Sequence, residues 1–262
     1  DFGPGDVWFF PKGHGHSIQG LGPDEAHFIL GFDDGHFSEF GTFSITDWIG
    51  HTAPNVLSQN LGLPESAFAN FPKGEVYIVA GKVPPAEPAP LREIDPPANQ
   101  FPHKYRLGAA PPLEFPGGEL RIVSRKEFPI QDSMSGATML IKPGGLREMH
   151  WHPNADEWQF YLSGRSRVTI FGAHGRIKSD EFGPGQVAFI KQGFGHFIEQ
   201  IGDEPTEVLL VFNSPVYHEI NISTWLAANP AYVLADNFGI TNEMIGKLPR
   251  KTVGFAAPGK NE

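Results

Sequence analysis

Residues Gly144 to Gly164, GGLREMHWHPNADEWQFYLSG, constrain this chain more than any other stretch. Their spacing is G-x5-H-x-H-x4-E-x6-G, with His150 and His152 flanking Trp151 and with Glu157 five residues beyond His152. In an extended strand, side chains two apart point to the same face. His150 and His152 therefore face inward together and Trp151 faces out. Pro153-Asn154 supplies a turn, after which Glu157 opens the next strand facing the two imidazoles. Two imidazoles and a carboxylate converging between strands make a metal site. A lone histidine is most simply a hydrogen-bonded core or surface residue, and the shared spacing of this set argues against that reading here.

A fourth ligand is expected from Gly185 to His196, GQVAFIKQGFGH. An apolar strand over Val187 to Ile190 runs into a Gly193/Gly195 turn and ends on His196. Three imidazoles and one carboxylate suit zinc, iron, nickel or manganese. Catalytic zinc usually takes three protein ligands and a water. Four protein ligands with two open positions require an octahedral ion, which favours manganese or iron.

The same pattern occurs at the start of the chain. GPGDVWFFPKGHGHSIQGLG at residues 3–22 answers GPGQVAFIKQGFGHFIEQIG at residues 183–202, so that His16 matches His196 at an offset of 180. The correspondence continues: Leu30-Gly31-Phe32 answers Leu210-Val211-Phe212, Trp48 answers Trp225, Gly62 answers Gly239 and Pro72 answers Pro249. The chain is a tandem duplication. The histidine pair and glutamate of the first copy would fall about thirty residues before Asp1 by that offset. We therefore expect a first barrel that is N-terminally incomplete here, with His16 as its one ligand in this sequence and the rest supplied by further polypeptide. His14 is not expected to be a ligand, because the repeat pairs it with Phe194.

Between Phe32 and Trp48 the offset falls to 177, so the first copy carries three more residues there. A longer Gly-containing loop after a metal-bearing strand is a lid candidate. Its Glu39, taken by itself, reads as a solvated loop charge. Short helices are expected after each barrel: one capped by Ser223 or Thr224, one from Ala231 to Phe238 ended by Gly239, one starting at Thr241, and their counterparts over residues 46–72.

The expected organisation is residues 1–81 as the C-terminal part of barrel 1 with its helical hairpin, residues 82–107 as a Pro-rich extended linker, and residues 108–262 as barrel 2 with C-terminal helices. The tail after Val253 reads as an arm or a disordered end. The 262 residues, with 31 Gly and 25 Pro, fit an all-β protein of short strands joined by turns. A formal charge of −10 argues against a nucleic-acid partner, and no apolar run approaches a membrane span. With no cysteine there is neither a disulfide nor a thiolate metal site.

The two motif halves carry the signature of the cupins, with Lys191 where the second half usually has Pro. Together with the repeat, Arg147 to Pro153, the DEWQ at 156–159 and the loop at 32–40, they resemble the bicupin oxalate decarboxylases and oxidases. They are also similar to a cyanobacterial periplasmic manganese cupin. The resemblance implies two jelly-roll barrels, Mn in each, dioxygen as co-substrate or cofactor, oxalate as substrate, and a trimer or hexamer. It implies His150, His152, Glu157 and His196 as ligands in barrel 2 and His16 in barrel 1. Glu39, in Ser38-Glu39-Phe40-Gly41-Thr42, would be the catalytic acid–base. The family lid reads S-E-N-S-T, so its two central residues differ here. Arg147 would orient oxalate and Tyr217 would stand behind the metal ligands. Leu210 takes the place where the second barrel of the best-known members has a Glu. Formate and carbon dioxide are the expected products. Carbon dioxide and hydrogen peroxide would follow if Glu39 stays out of reach, and a manganese-storage role is the non-enzymatic alternative. An extracellular or periplasmic location is expected rather than a cytoplasmic one.

Overall fold

The computed structural model describes residues 1–38, 41–84 and 102–259. They fall into two compact units, residues 1–16 with 102–259, and residues 17–84. The division does not coincide with the boundaries read from the sequence. The first sixteen residues group with the second barrel, and most of the expected linker lies outside the described residues.

The larger unit is built of strands in this order: β1 (Val7–Trp8), β2 (Lys104–Tyr105), β3 (Leu113–Phe115), β4 (Gly118–Val123), β5 (Ser135–Ile141), β6 (Leu146–Trp151), β7 (Glu157–Ser163), β8 (Ser166–Phe171), β9 (Ile177–Phe182), β10 (Val187–Ile190), β11 (Gly195–Gln200), β12 (Thr206–Phe212), β13 (Ile220–Asn221) and β14 (Phe255–Ala256). One antiparallel sheet runs β10-β7-β12-β5-β4-β3 and a second runs β13-β6-β11-β8-β9. The sequence alternation sets the inner faces: Ala137, Met139 and Ile141 of β5 and Val208, Leu210 and Phe212 of β12 are buried, while the residues between them are not. Tyr161, Val168, Ile190 and Ile198 join them in one core cluster. Each such side chain contributes roughly 2 kcal/mol by leaving water. This is the two-layer jelly roll expected of the second copy.

β1 pairs antiparallel with β2, Val7 opposite Tyr105 and Trp8 opposite Lys104. Val7, Phe9 and Tyr105 pack on a small separate cluster of Leu107, Val123 and Phe128. Residues 104–107, read from the sequence as linker, are thus strand and core.

In the smaller unit the described residues contain α1 (Ile45–His51) and α2 (Pro54–Leu61) and no strand. Under the repeat, Leu30–Phe32 answers part of β12, whose partners are β5 and β7. Leu30–Phe32 pairs with no strand among the described residues, and Leu30 and Phe32 are exposed. The larger unit carries α3 (Ile222–Ala227), α4 (Ala231–Phe238) and α5 (Asn242–Gly246). α3 is capped by Asn221, not by the expected Ser223 or Thr224, and Asn221 makes no side-chain capping bond. Thr241 does cap α5, accepting from the Met244 amide. No helix among the described residues is long and apolar enough to cross a membrane.

Backbone geometry repeats with the sequence. Gly5 and Gly185 have φ of 81° and 79°, and Gly13 and Gly193 both have 77°. The helix-ending glycines Gly62 and Gly239 have 68° and 64°. These are left-handed conformations that disfavour a Cβ. The two copies share their turns as well as their letters.

The C-terminal segment differs from the expected free arm. β14 pairs with β6, and Phe255 is fully buried against the core. Gly254 makes this docking feasible. Its φ is +64°, its carbonyl accepts from Arg147, its amide donates to Glu148, and a Cβ there would lie 2.5 Å from the Phe115 ring. Gly254→Ala is expected to destabilise the larger unit by about 2 kcal/mol through overpacking and a disfavoured φ, read as a fall in the urea midpoint at unchanged slope.

Candidate metal centre

The ligand candidates come from both sheets. His150 lies on β6 and pairs in register with His196 on β11, where the ladder is irregular between His196 and Ile198. Glu157 begins β7 in the other sheet, opposite Ile190 and Phe212. His152 follows the end of β6. The side chains of all four are buried, and one ligand atom from each lies within 4.8 Å of the others. Among the described residues this is the only such group of three or more.

The hydrogen bonds fix what the imidazoles can offer. The Nδ1 of His150 lies 2.7 Å from the Glu148 carbonyl, that of His152 2.7 Å from the His218 carbonyl, and that of His196 3.1 Å from the Phe194 carbonyl. A carbonyl only accepts, so in each neutral ring Nδ1 carries the proton and Nε2 presents a lone pair. Glu157 Oε2 lies 3.0 Å from His152 Nε2 and 2.9 Å from His196 Nε2. Distances alone would make these ion pairs. With the rings neutral they are meetings of acceptors, in keeping with Glu157 Oε2 and His196 Nε2 being buried without a hydrogen-bond partner. Three nitrogen lone pairs and a carboxylate oxygen turned toward one another fit a divalent cation, which all four would hold together.

The surrounding groups orient this set. Glu157 Oε1 accepts from Gln159 Nε2 at 2.8 Å, and Gln159 Oε1 accepts from the Tyr161 hydroxyl at 2.8 Å. Burial disfavours the Glu157 charge, yet His196 and His152 hold its carboxyl well below the usual carboxylate range. Burial and the Arg147 charge push His150 well down, keeping it neutral. Burial also works against protonated His152, but Glu157 outweighs it and raises that group. Gln159 and Tyr161 were not singled out from the sequence. They stand two and four residues after Glu157, so strand alternation alone puts them on its face.

Arg147, expected to orient oxalate, is buried three residues before His150. Its Nη1 donates to the Gly254 carbonyl at 3.2 Å and to Asn221 Oδ1 at 3.4 Å, and its Nη2 is paired with Glu219 Oε2. Tyr217 is beside the site, its ring centroid 5.6 Å from that of His152, and its hydroxyl donates to Glu219 at 2.5 Å. Glu219 too was not singled out. Leu210 is a buried core residue, opposite Gln159 on β7.

His16 is exposed, stacked on Phe10 with centroids 3.6 Å apart, and is joined by no other candidate ligand among the described residues. His14 is also exposed and outside any ligand group. Glu39 lies outside the described residues.

A jelly roll carrying three histidines and a glutamate between its sheets, with a second copy of its motif at residues 3–22, defines a class. A family model described as Cupin matches residues 1–67 and 106–246, and this chain belongs to the cupin family. Among curated proteins it is similar to oxalate decarboxylase OxdC of Bacillus subtilis (strain 168), 38% identical over 230 residues, 88% of this chain and 60% of that protein. It is also similar to a probable oxalate decarboxylase of Arthroderma benhamiae, 31% identical over 257 residues, 95% of this chain and 62% of that protein. The solved structure of the Bacillus subtilis oxalate decarboxylase at pH 4.6 superposes with a TM-score of 0.82 and 31% identity, over 86% of this chain and 59% of that one. Another structure of that enzyme, with a TM-score of 0.78, belongs to work on its Mn(II) centres. The chain spans about 60% of the length of these relatives.

Proposed function

We propose that this chain is part of a manganese-dependent oxalate decarboxylase that converts oxalate to formate and carbon dioxide. The observation that carries this is the buried three-histidine, one-glutamate set in a chain 38% identical to an oxalate decarboxylase. His150, His152, Glu157 and His196 would hold Mn(II), and the Mn(II) centres of a relative support that metal over iron. When bound, manganese would polarise the substrate carboxylate as a Lewis acid and, with dioxygen as co-substrate or cofactor, supply one-electron chemistry.

The work of the chain itself is to place substrate and move a proton. Turnover is assigned to barrel 1, where His16 contributes one ligand and Glu39 exchanges the proton with the one-carbon product. Barrel 2 carries Leu210 where such an acid would stand. The changed centre of the lid, Phe40-Gly41, favours a second reading, oxalate oxidase, if Glu39 is thereby kept out of reach. Protein with a complete first barrel, loaded with Mn(II) and given oxalate in air, tests both. Formate in equal amount to carbon dioxide supports the decarboxylase. Hydrogen peroxide without formate makes the protein an oxidase, and neither product leaves a manganese-binding bicupin. The trimer or hexamer is part of the same proposal, and light scattering tests it.

A further inference from the structure

Barrel 2 contains a complete ligand set, yet its arginine is already spoken for. Arg147 is only 2% exposed. Its guanidinium lies over the Phe255 ring, 5.2 Å from the centroid, and donates to Asn221, to the Gly254 carbonyl and to Glu219. An arginine fork of this kind matches a carboxylate in shape and charge. Here the carboxylate comes from the chain.

Both oxygens of part-buried Glu219 are held. Its Oε2 takes both Arg147 Nη2 and the Tyr217 hydroxyl, and its Oε1 accepts from Asn221 Nδ2 at 3.0 Å. Asn221 is the register partner of His150, and the carbonyl of His218, next to Glu219 in the chain, accepts from His152 Nδ1. The arginine–glutamate pair is therefore built into the wall of the metal centre, its glutamate in the segment leading into β13, where the His218 carbonyl orients one of the ligands.

We propose that Glu219 is a specificity residue of barrel 2: it is the resident counter-anion of Arg147, and by taking Nη2 of a guanidinium whose Nη1 is already given to Asn221 and the Gly254 carbonyl it keeps small carboxylates, oxalate included, from the metal of this barrel. Entry of an outside carboxylate would require part-buried Glu219 to give up the buried Arg147 guanidinium, and breaking such a pair is unfavourable. Barrel 2 thus keeps its cation without engaging substrate. The inference concerns binding in barrel 2, so it stands or falls separately from turnover in barrel 1.

The test uses this chain as it is, in which barrel 2 holds the only group of ligands among the described residues. Mn(II)-loaded protein is titrated with oxalate by calorimetry and by the Mn(II) resonance signal, for wild type and for Glu219→Gln. The variant should bind oxalate at least about tenfold more tightly than wild type and should change its resonance signal on binding. Equal affinity in the two, or tighter binding by wild type, overturns the proposal. Glu219→Ala covers the case in which loss of the pair impairs folding. Its melting temperature should lie below that of wild type and rise saturably with acetate, which refills the fork, whereas chloride should have no such effect and wild type should not respond. The same acetate response in both proteins, or in neither, overturns the assignment.

Discussion

Glu39→Gln is expected to abolish formate production in protein whose first barrel is complete, with manganese content unchanged. Glutamine keeps the size of the side chain and removes its exchangeable proton. A positioned acid–base group typically contributes 10²–10⁴-fold to rate, so formate should fall by at least about a hundredfold. Oxygen-dependent release of hydrogen peroxide should rise in its place, since the substrate can still lose its first carbon dioxide. Gly35 and Gly41 bracket the residue in the sequence and would give the proposed lid its hinges, so a shape-preserving change should leave closure intact. The check is formate and peroxide quantified side by side, with metal content measured on the same samples. An unchanged formate yield would place the acid elsewhere and remove the main support for decarboxylation in barrel 1.

Glu157→Gln is expected to lower the Mn(II) affinity of barrel 2 at least about a hundredfold. Loss of a group that merely orients a ligand usually costs 10–100-fold, and here a charged ligand itself is removed. The metal-free variant should still fold, because the amide can be held by Gln159 and no longer places a buried charge among nitrogen lone pairs. Competition with a fluorescent chelator measures the affinity, and urea unfolding of the metal-free forms gives the stability. The wild-type affinity should also depend on pH in one direction. Glu157 is held ionised and His150 neutral, but the pKa of His152 is raised above its ordinary 6.5. Metal uptake must then displace a proton from His152 once the pH drops through its raised pKa, and affinity should weaken by up to about tenfold per pH unit below it. A flat affinity between pH 8 and pH 5.5 would contradict this picture.

The metal centre was legible because its chemistry sits at fixed, short spacings. His150 and His152 share a strand face, and Glu157 begins the next strand. Only His196 had to be brought from afar, and its Gly193/Gly195 turn marked it. The duplication was legible for a similar reason, since left-handed glycines such as Gly5 and Gly185 recur where the turns demand them. What could not be read was pairing over distance. Nothing near Arg147 in the chain names Glu219 as its partner, 72 residues on. Phe255, in a tail of Gly, Ala and Pro, looked dispensable until its ring was found buried beneath the Arg147 guanidinium. The Pro-rich composition that marked a linker stopped being informative at Lys104, where two residues pair with β1. Strand propensity likewise said little about Leu30 to Phe32, which has the letters of β12 but no neighbouring strand.

The pairing of Val7 with Tyr105 sets an order in time. Nearly a hundred residues separate the two, and closing so long a loop costs on the order of 4 kcal/mol in chain entropy. During synthesis the first sixteen residues must wait, with Val7 and Phe9 uncovered, until Leu107, Val123 and Phe128 have left the ribosome. A cut placed in the Pro-rich stretch would therefore not separate two independent halves. It would strand the apolar start of the chain and open the small cluster beside barrel 2, so both pieces would become prone to aggregate. Any dissection of this protein has to keep residues 1–16 with the strands that receive them.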